Sequence, residues 1–285
     1  MDTDSSKLEA IKVFFHKKSG KNIQKFKKRF VNQTKLQAKL NHPNIIKINH
    51  SFDSILLFNS NGIPLKVSAI ILDYVEAAGD LNDIVQRLGQ MPEALARTYF
   101  HCIIDAIEHM QEHDVIHGNL VPENILFDTR FNLKISGFGN ARKSSLNKPM
   151  KLKFQEANYY PPEVYYGVLK QRIDLDVFAA AMLLFFMIFG HLPFSRAELD
   201  NPIYKLIVCG EHDKFWRIHE DILDFDEKDM EISDEFKELI ERVFDPNPDT
   251  RATIAWIKHC AWYNGPLMKI ENFEKLLRHE TMGEL

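Results

Sequence analysis

The sequence predicts an α+β protein in which a small strand-rich N-terminal part is followed by a larger, mainly helical part. Three observations carry this expectation. Runs rich in β-branched and aromatic residues, Leu8 to Phe15, Ile45 to Phe52 and Lys66 to Val75, crowd the first 75 residues. From Leu81 onward the apolar residues recur at helical spacing. The 285 residues are 45% hydrophobic and 27% charged, which is the balance of a folded globular chain and not of a disordered one.

The first run ends at a His16-Lys-Lys-Ser-Gly20 turn. Asn22 to Leu40 then reads as a helix opened by Asn22, with Ile23, Phe26, Phe30 and Leu36 near one face and His42-Pro43 as its stop. Asn59-Ser-Asn-Gly-Ile-Pro64 is the turn between the next two strands. Pro92 to His113 forms a long periodic helix with proline in its first turn, running into Asp114. Short strands at Ile125 to Phe127 and Leu133 to Ser136 flank a turn at Asp128 to Asn132. Val177 to Phe189 is an apolar run of 13 residues. A membrane-crossing helix needs about 20, so a helix buried on all sides is expected and no membrane span. No repeat, low-complexity stretch or flexible linker separates a further domain.

Charge and cysteine usage exclude several classes. A formal net charge of −4 leaves no basic excess to hold a phosphate backbone, so nucleic acid is not an expected partner. Cys102, Cys209 and Cys260 are too few and too far apart for a disulfide framework or a paired zinc motif. With acids where a signal peptide would carry a basic and then an apolar run, the expected location is cytoplasmic. Charge is unevenly spread: nine Lys or Arg and no acid lie between Lys17 and Lys39, and nine Asp or Glu against one Lys between Glu220 and Glu235. Such stretches form solvated faces and also suit an oppositely charged partner. His109 and His113 stand one helical turn apart, but the sequence places no third ligand beside them, and the plainer expectation is a surface helix. Trp256, Trp262 and Tyr263 read as core of the last helices.

Three motifs follow one another in a telling order: His117-Gly-Asn-Leu-Val-Pro-Glu-Asn124, Lys134-Ile-Ser-Gly-Phe-Gly139 and Tyr160-Pro-Pro-Glu163. They resemble the catalytic loop, the metal-binding loop and the end of the activation segment of protein kinases. Ala10-Ile-Lys12 looks like the nucleotide-anchoring strand, and His42-Pro-Asn-Ile-Ile46 is similar to the segment after the kinase helix that faces it. The resemblance runs from about Leu8 to about Trp262 and is to serine/threonine kinases of the calcium/calmodulin-dependent type. It implies one bilobal kinase-like domain, with a β-rich N-lobe in residues 1–75 and a helical C-lobe in residues 76–285. Only seven residues precede Leu8, so the implied N-lobe is truncated and lacks the first two strands and the glycine-rich loop that covers ATP phosphates.

Residue by residue, the resemblance implies a degenerate site. Asn119 stands at the position of the catalytic Asp, and an amide cannot accept the substrate's proton; loss of a positioned base is worth about 10²–10⁴ in rate. Gly137 stands where the metal-binding Asp belongs, leaving Asn124 as a lone, weak magnesium ligand. Lys12 matches the phosphate-gripping lysine, and its usual acidic partner falls at Gln33. Val121 replaces a lysine that stabilises the transferred phosphate. Gly118 replaces an arginine, leaving no base there to receive an activation-loop phosphate, so Ser144 and Ser145 read as plain loop serines. Ala10, Leu72, Asp73, Val75 and Leu126 match positions around the adenine pocket and hinge, which with Lys12 and Asn124 would hold any nucleotide that still binds. Glu163 and Arg251 look like a structural ion pair, and Asp176 resembles the residue that holds the catalytic-loop backbone. Gln37 falls in an otherwise apolar stack with Ile48, His117 and Phe138, which predicts a loosely held upper part.

The function so implied is that of a pseudokinase. It would require no cofactor, bind ATP and magnesium weakly or not at all, and act as a scaffold or allosteric regulator on a protein partner such as an active kinase or its substrate. The alternative is a weak or unconventional ATP-dependent serine/threonine kinase.

Overall fold

The computed structural model describes residues 8–15, 21–144, 157–166, 174–223 and 232–270. Ser145 and most of the acidic stretch after Leu223 lie outside them, as do Lys17 and Lys18 of the basic stretch.

The N-terminal part is a three-stranded antiparallel sheet with one helix. Strands β1 (Glu9–Phe15), β2 (Ile48–Phe58) and β3 (Pro64–Asp73) lie in the order β1-β3-β2. The central strand, β3, is the most buried of the three, with Val67, Ala69 and Ile70 all inside. Helix α1 (Lys21–Gln37) lays Phe30 edge-on against Phe14 at 5.5 Å, and with Ile70 these form a small core of their own.

β2 starts and ends later than its sequence pattern indicates. Ile45 and Ile46 leave the sheet and join the lower part: Ile45 bridges to Ile135, and Ile46 N–H donates to the Ile135 carbonyl at 3.1 Å. At its far end a bulge at Ser54, whose φ is +59°, lets the strand continue through Asp53-Ser54 to Phe58.

The C-terminal part begins with β4 (Ala77–Asp80) and α2 (Leu81–Leu88), joined by a capping box in which Asp80 and Asp83 accept each other's backbone N–H. Helix α3 (Glu93–Glu112) starts directly after Pro92 and ends at His113. The short strands β5 (Val115–Ile116), β6 (Ile125–Asp128), β7 (Leu133–Ile135) and β8 (Arg142–Lys143) form two small sheets, β4-β6-β7 and β5-β8. Helices α4 (Asp174–Phe189), α5 (Tyr204–Val208), α6 (His212–Leu223), α7 (Asp234–Val243) and α8 (Ile254–His259) complete it.

The long apolar run is the middle of this part. Every described side chain of α4 but Phe186 is buried, so α4 is a central core helix, packed against α3 and α7. Phe185 and Phe189 stack at 4.2 Å and meet Trp216 and Phe236 around them. Truncating one such ring to alanine costs about 3–5 kcal/mol. Trp262 is fully buried, as expected of core, and its indole N–H donates to Glu93 at 2.7 Å. No helix among the described residues is long and apolar enough to cross a membrane.

Candidate active site

The catalytic-loop segment 117–124 is held from below. Strand β5 delivers the chain to His117, and its antiparallel partner β8 brings residues 136–143 alongside. Asp176, in the first turn of α4 and buried, accepts the backbone N–H of His117 at 2.7 Å and of Gly118 at 2.8 Å. Burial pushes its carboxyl up to about 6, while those two N–H groups and Arg142 pull the other way. Gly118 sits at a left-handed φ of +66°, and its carbonyl accepts the Tyr160 hydroxyl at 3.2 Å. The His117 ring is fully buried, edge-on to Phe138 at 4.5 Å. Its Nδ1 accepts the Asn119 N–H, so its Nε2–H donates to the Ser136 carbonyl at 2.8 Å. Burial drives its pKa down to about 4, and the ring is neutral. Further out, both guanidinium Nη atoms of Arg251 donate to the Glu163 carboxylate at 2.8 Å, and Arg251 Nε donates to the Asp245 carbonyl. Val121 is buried beneath the loop.

The side of the loop that faces the upper part is built from amides. Asn119 Oδ1 accepts Asn140 Nδ2 at 3.2 Å, and the Asn119 carbonyl accepts Asn124 Nδ2 at 2.8 Å. Gly137 has φ +81°, and a side chain there would collide with the Asn124 amide, which occupies the space. Asn119, Asn124 and Gly137 therefore form one packed cluster, tied together by the Asn124 bond to the Asn119 backbone and to Asn140 through Asn119 Oδ1.

Lys12 reaches this cluster from β1. A methyl group on Gly139 would lie 3.8 Å from its Nζ. Nζ donates to Gln33 Oε1 at 3.0 Å, Gln33 Nε2 to Gln37 Oε1 at 2.8 Å, and Gln37 Nε2 to the Ile46 carbonyl at 2.7 Å. This relay runs from the sheet through α1 to the segment bridged to β7, and both glutamines are buried. It reverses the expectation that Gln37 loosens the upper part. A buried amide weakens packing only when its hydrogen bonds are unmet, and those of Gln37 tie the two parts together. Burial, and then Arg29, lower the Lys12 pKa.

Among the adenine-pocket candidates, Ala10 and Leu72 are direct cross-strand partners in β1 and β3. Asp73 and Val75 line a groove of about 300 Å³ that also takes in Ile45, Asp128 and Lys134. Leu126 belongs to a different sheet, opposite Lys134 and Asp80.

Two cations at this cleft carried no sequence signal of their own. Arg29, in the middle of α1, points a guanidinium Nη at Asn140 Oδ1 at 3.5 Å. Arg142 lies beside Gly118: its Nε would be 3.8 Å from a methyl group there. The expectation that Gly118 leaves this point without a basic residue is therefore corrected, since Arg142 supplies the base from the neighbouring strand. Only the β5–β8 pairing, invisible in the sequence, puts the two together.

The protein kinase domain model matches residues 1–263. The CBL-interacting serine/threonine-protein kinase 24 of Arabidopsis thaliana is 31% identical over 268 residues, 92% of this chain and 53% of that protein. The carbon catabolite-derepressing protein kinase of Candida tropicalis is 31% identical over 225 residues, 79% of this chain and 32% of that protein. The chain thus spans about half the length of the first relative and about a third of the second. A family match across both parts, together with a strand-rich upper part joined to a helical lower part at this loop, shows that the chain belongs to the protein kinase domain family and has its bilobal α+β fold.

Proposed function

We propose that this kinase-family domain is catalytically inactive and works by binding a protein partner. One observation carries the reading: the cluster at the catalytic loop is Asn119, Asn124 and Gly137, where proton transfer and metal binding call for carboxylates. An amide does not take a proton from a hydroxyl at neutral pH, and a positioned base contributes about 10²–10⁴ in rate. Asn124 offers magnesium one neutral oxygen, whereas Mg²⁺ sites use one or two carboxylates. The donor set does not fit the metal. What the cleft does offer is Lys12 and Arg29, which favour an anion and need no metal to do so.

A protein partner fits the remaining surface. Between α6 and α7 a groove of about 470 Å³ is bordered by Asp213, Glu220, Asp234, Glu238 and Glu241. Arg217 and Lys237, the latter paired with Glu220 at 2.6 Å, also line it, and five acids against two basic residues leave a negative charge that suits a basic segment.

The second reading is a weak or unconventional ATP-dependent serine/threonine kinase. The name of the first relative, a serine/threonine-protein kinase matched over most of this chain, favours it. The two readings part on a radiolabelled γ-phosphate transfer assay with the purified protein and with Asn119→Asp. The binding reading expects no label above background in the parent. Measurable transfer that rises about 10²-fold in Asn119→Asp would establish the kinase reading instead.

A further inference from the structure

We infer that the last turn of α3 is a binding site for a divalent transition metal of the zinc class, held by His109, Glu112 and His113. The three residues fall at i, i+3 and i+4, with His113 as the helix cap, which puts two imidazoles and a carboxylate on one side of the helix end; the i, i+4 histidine pair is the spacing of helix-borne zinc sites. One ligand atom from each lies within 4.8 Å of the others. The imidazole rings are 4.3 Å apart, and His109 Nδ1 is 3.9 Å from Glu112 Oε2. A tetrahedral zinc with bonds of 2.0–2.1 Å wants its ligands roughly 3.4 Å apart. Rotation of Glu112, whose side chain is 66% exposed, closes much of that difference without moving the backbone.

The surroundings prepare the ligands. His113 Nδ1 is bonded to the His109 carbonyl at 2.8 Å, which fixes the ring and leaves Nε2 as the metal-facing nitrogen. A backbone carbonyl behind a ligating imidazole is a common outer support of metal sites. The His109 ring rests against His42 at 5.4 Å and accepts the Asn41 N–H on Nε2 at 3.3 Å, so its Nδ1 edge faces Glu112. Coordination through Nδ1 moves the ring proton to Nε2, where it meets the Asn41 N–H donor to donor, so that contact opens and the exposed Asn41 N–H turns to water. Among the described residues Glu112 faces no lysine or arginine at ion-pair distance, and its carboxylate stands at the helix C-terminus, whose dipole favours a cation. Two imidazoles with one carboxylate select zinc, copper or nickel over magnesium or calcium.

This site is separate from the catalytic loop, so its test does not depend on the proposed function. The full chain is titrated with Zn²⁺ in competition with a chromophoric chelator. The site predicts one equivalent of bound zinc, unaffected by millimolar Mg²⁺. His109→Ala and His113→Ala should each weaken binding about 100-fold, and Glu112→Gln about tenfold. The only described hydrogen bond of the His113 side chain lies within its own turn, so His113→Ala should melt at the parent's temperature, which confirms that lost binding is not lost folding. Absence of a saturable equivalent in the parent, or zinc affinity unchanged in folded His113→Ala, overturns the assignment.

Discussion

The two sides of the catalytic loop differ in what they do with charge. On the inner side, ionised or ionisable groups are buried and matched: Asp176 under two loop N–H groups, Arg251 on Glu163 with two hydrogen bonds, His117 bridging to Ser136. On the side facing the cleft, the equivalent positions are neutral, and Asn119, Asn124, Asn140 and Gln33 hydrogen-bond to one another or to Lys12. The contrast separates two uses of a charged group. Charge that fixes backbone geometry is present, and charge that would meet a proton or a metal is not. The fold loses nothing by this, because each amide has a partner.

Mutations can break or sharpen that contrast. The largest effect is expected on the inner side. Arg251→Met leaves the largely covered Glu163 carboxylate without its cation and should lower unfolding stability by about 3 kcal/mol in urea titrations; an effect under about 1 kcal/mol would erase the distinction. Next comes pH. His117 resists protonation down to about pH 4, whereas an unfolded imidazole protonates near 6.5. Its contribution is therefore complete above pH 6.5 and is lost as pH falls toward 4, about 3 kcal/mol in all. Asp176 works in the opposite sense: its carboxyl, raised to about 6, takes a proton in the folded state first, which adds stability as pH falls from about 6 toward 3.8. Asp176→Asn removes that offset and should show a steeper acid loss per pH unit than the parent, while the His117 ring resonances stay flat from pH 8 to 5.

Smaller effects belong to the relay and the cleft. Gln37→Leu strands the Ile46 carbonyl and Gln33 in a buried setting and should cost about 1–3 kcal/mol by the same titration. Asn119→Ala removes one side-chain hydrogen bond at the partly exposed face and should cost no more than about 1 kcal/mol. A larger loss there would mean that the amide cluster is part of the framework.

The sequence made the lower part legible where local chemistry and packing agree. Pro92 and His113 bound α3 closely, and an uninterrupted apolar run could only be a core helix such as α4. It misled where long-range pairing decides. Ile45 and Ile46 look like strand residues of the upper sheet but are taken up by β7, and Leu36, Leu40 and Ile45 pack with the large lower core although they precede most of that sheet. At the site, residue types could be read off the motifs, but their mutual contacts could not. The collision between Gly137 and Asn124, the Lys12–Gln33–Gln37 relay and the placement of Arg142 beside Gly118 all depend on atoms brought together from distant segments.

The most direct test of a catalytic loop with no carboxylate at Asn119, Asn124 or Gly137 is a thermal-shift titration of the purified protein with ATP, with and without Mg²⁺, because a ligand that binds the native state raises its melting temperature. The account predicts that any rise given by ATP alone is not increased by Mg²⁺. A rise that appears only with Mg²⁺, or grows with it, would contradict the account and point to a metal-binding, catalytically competent site.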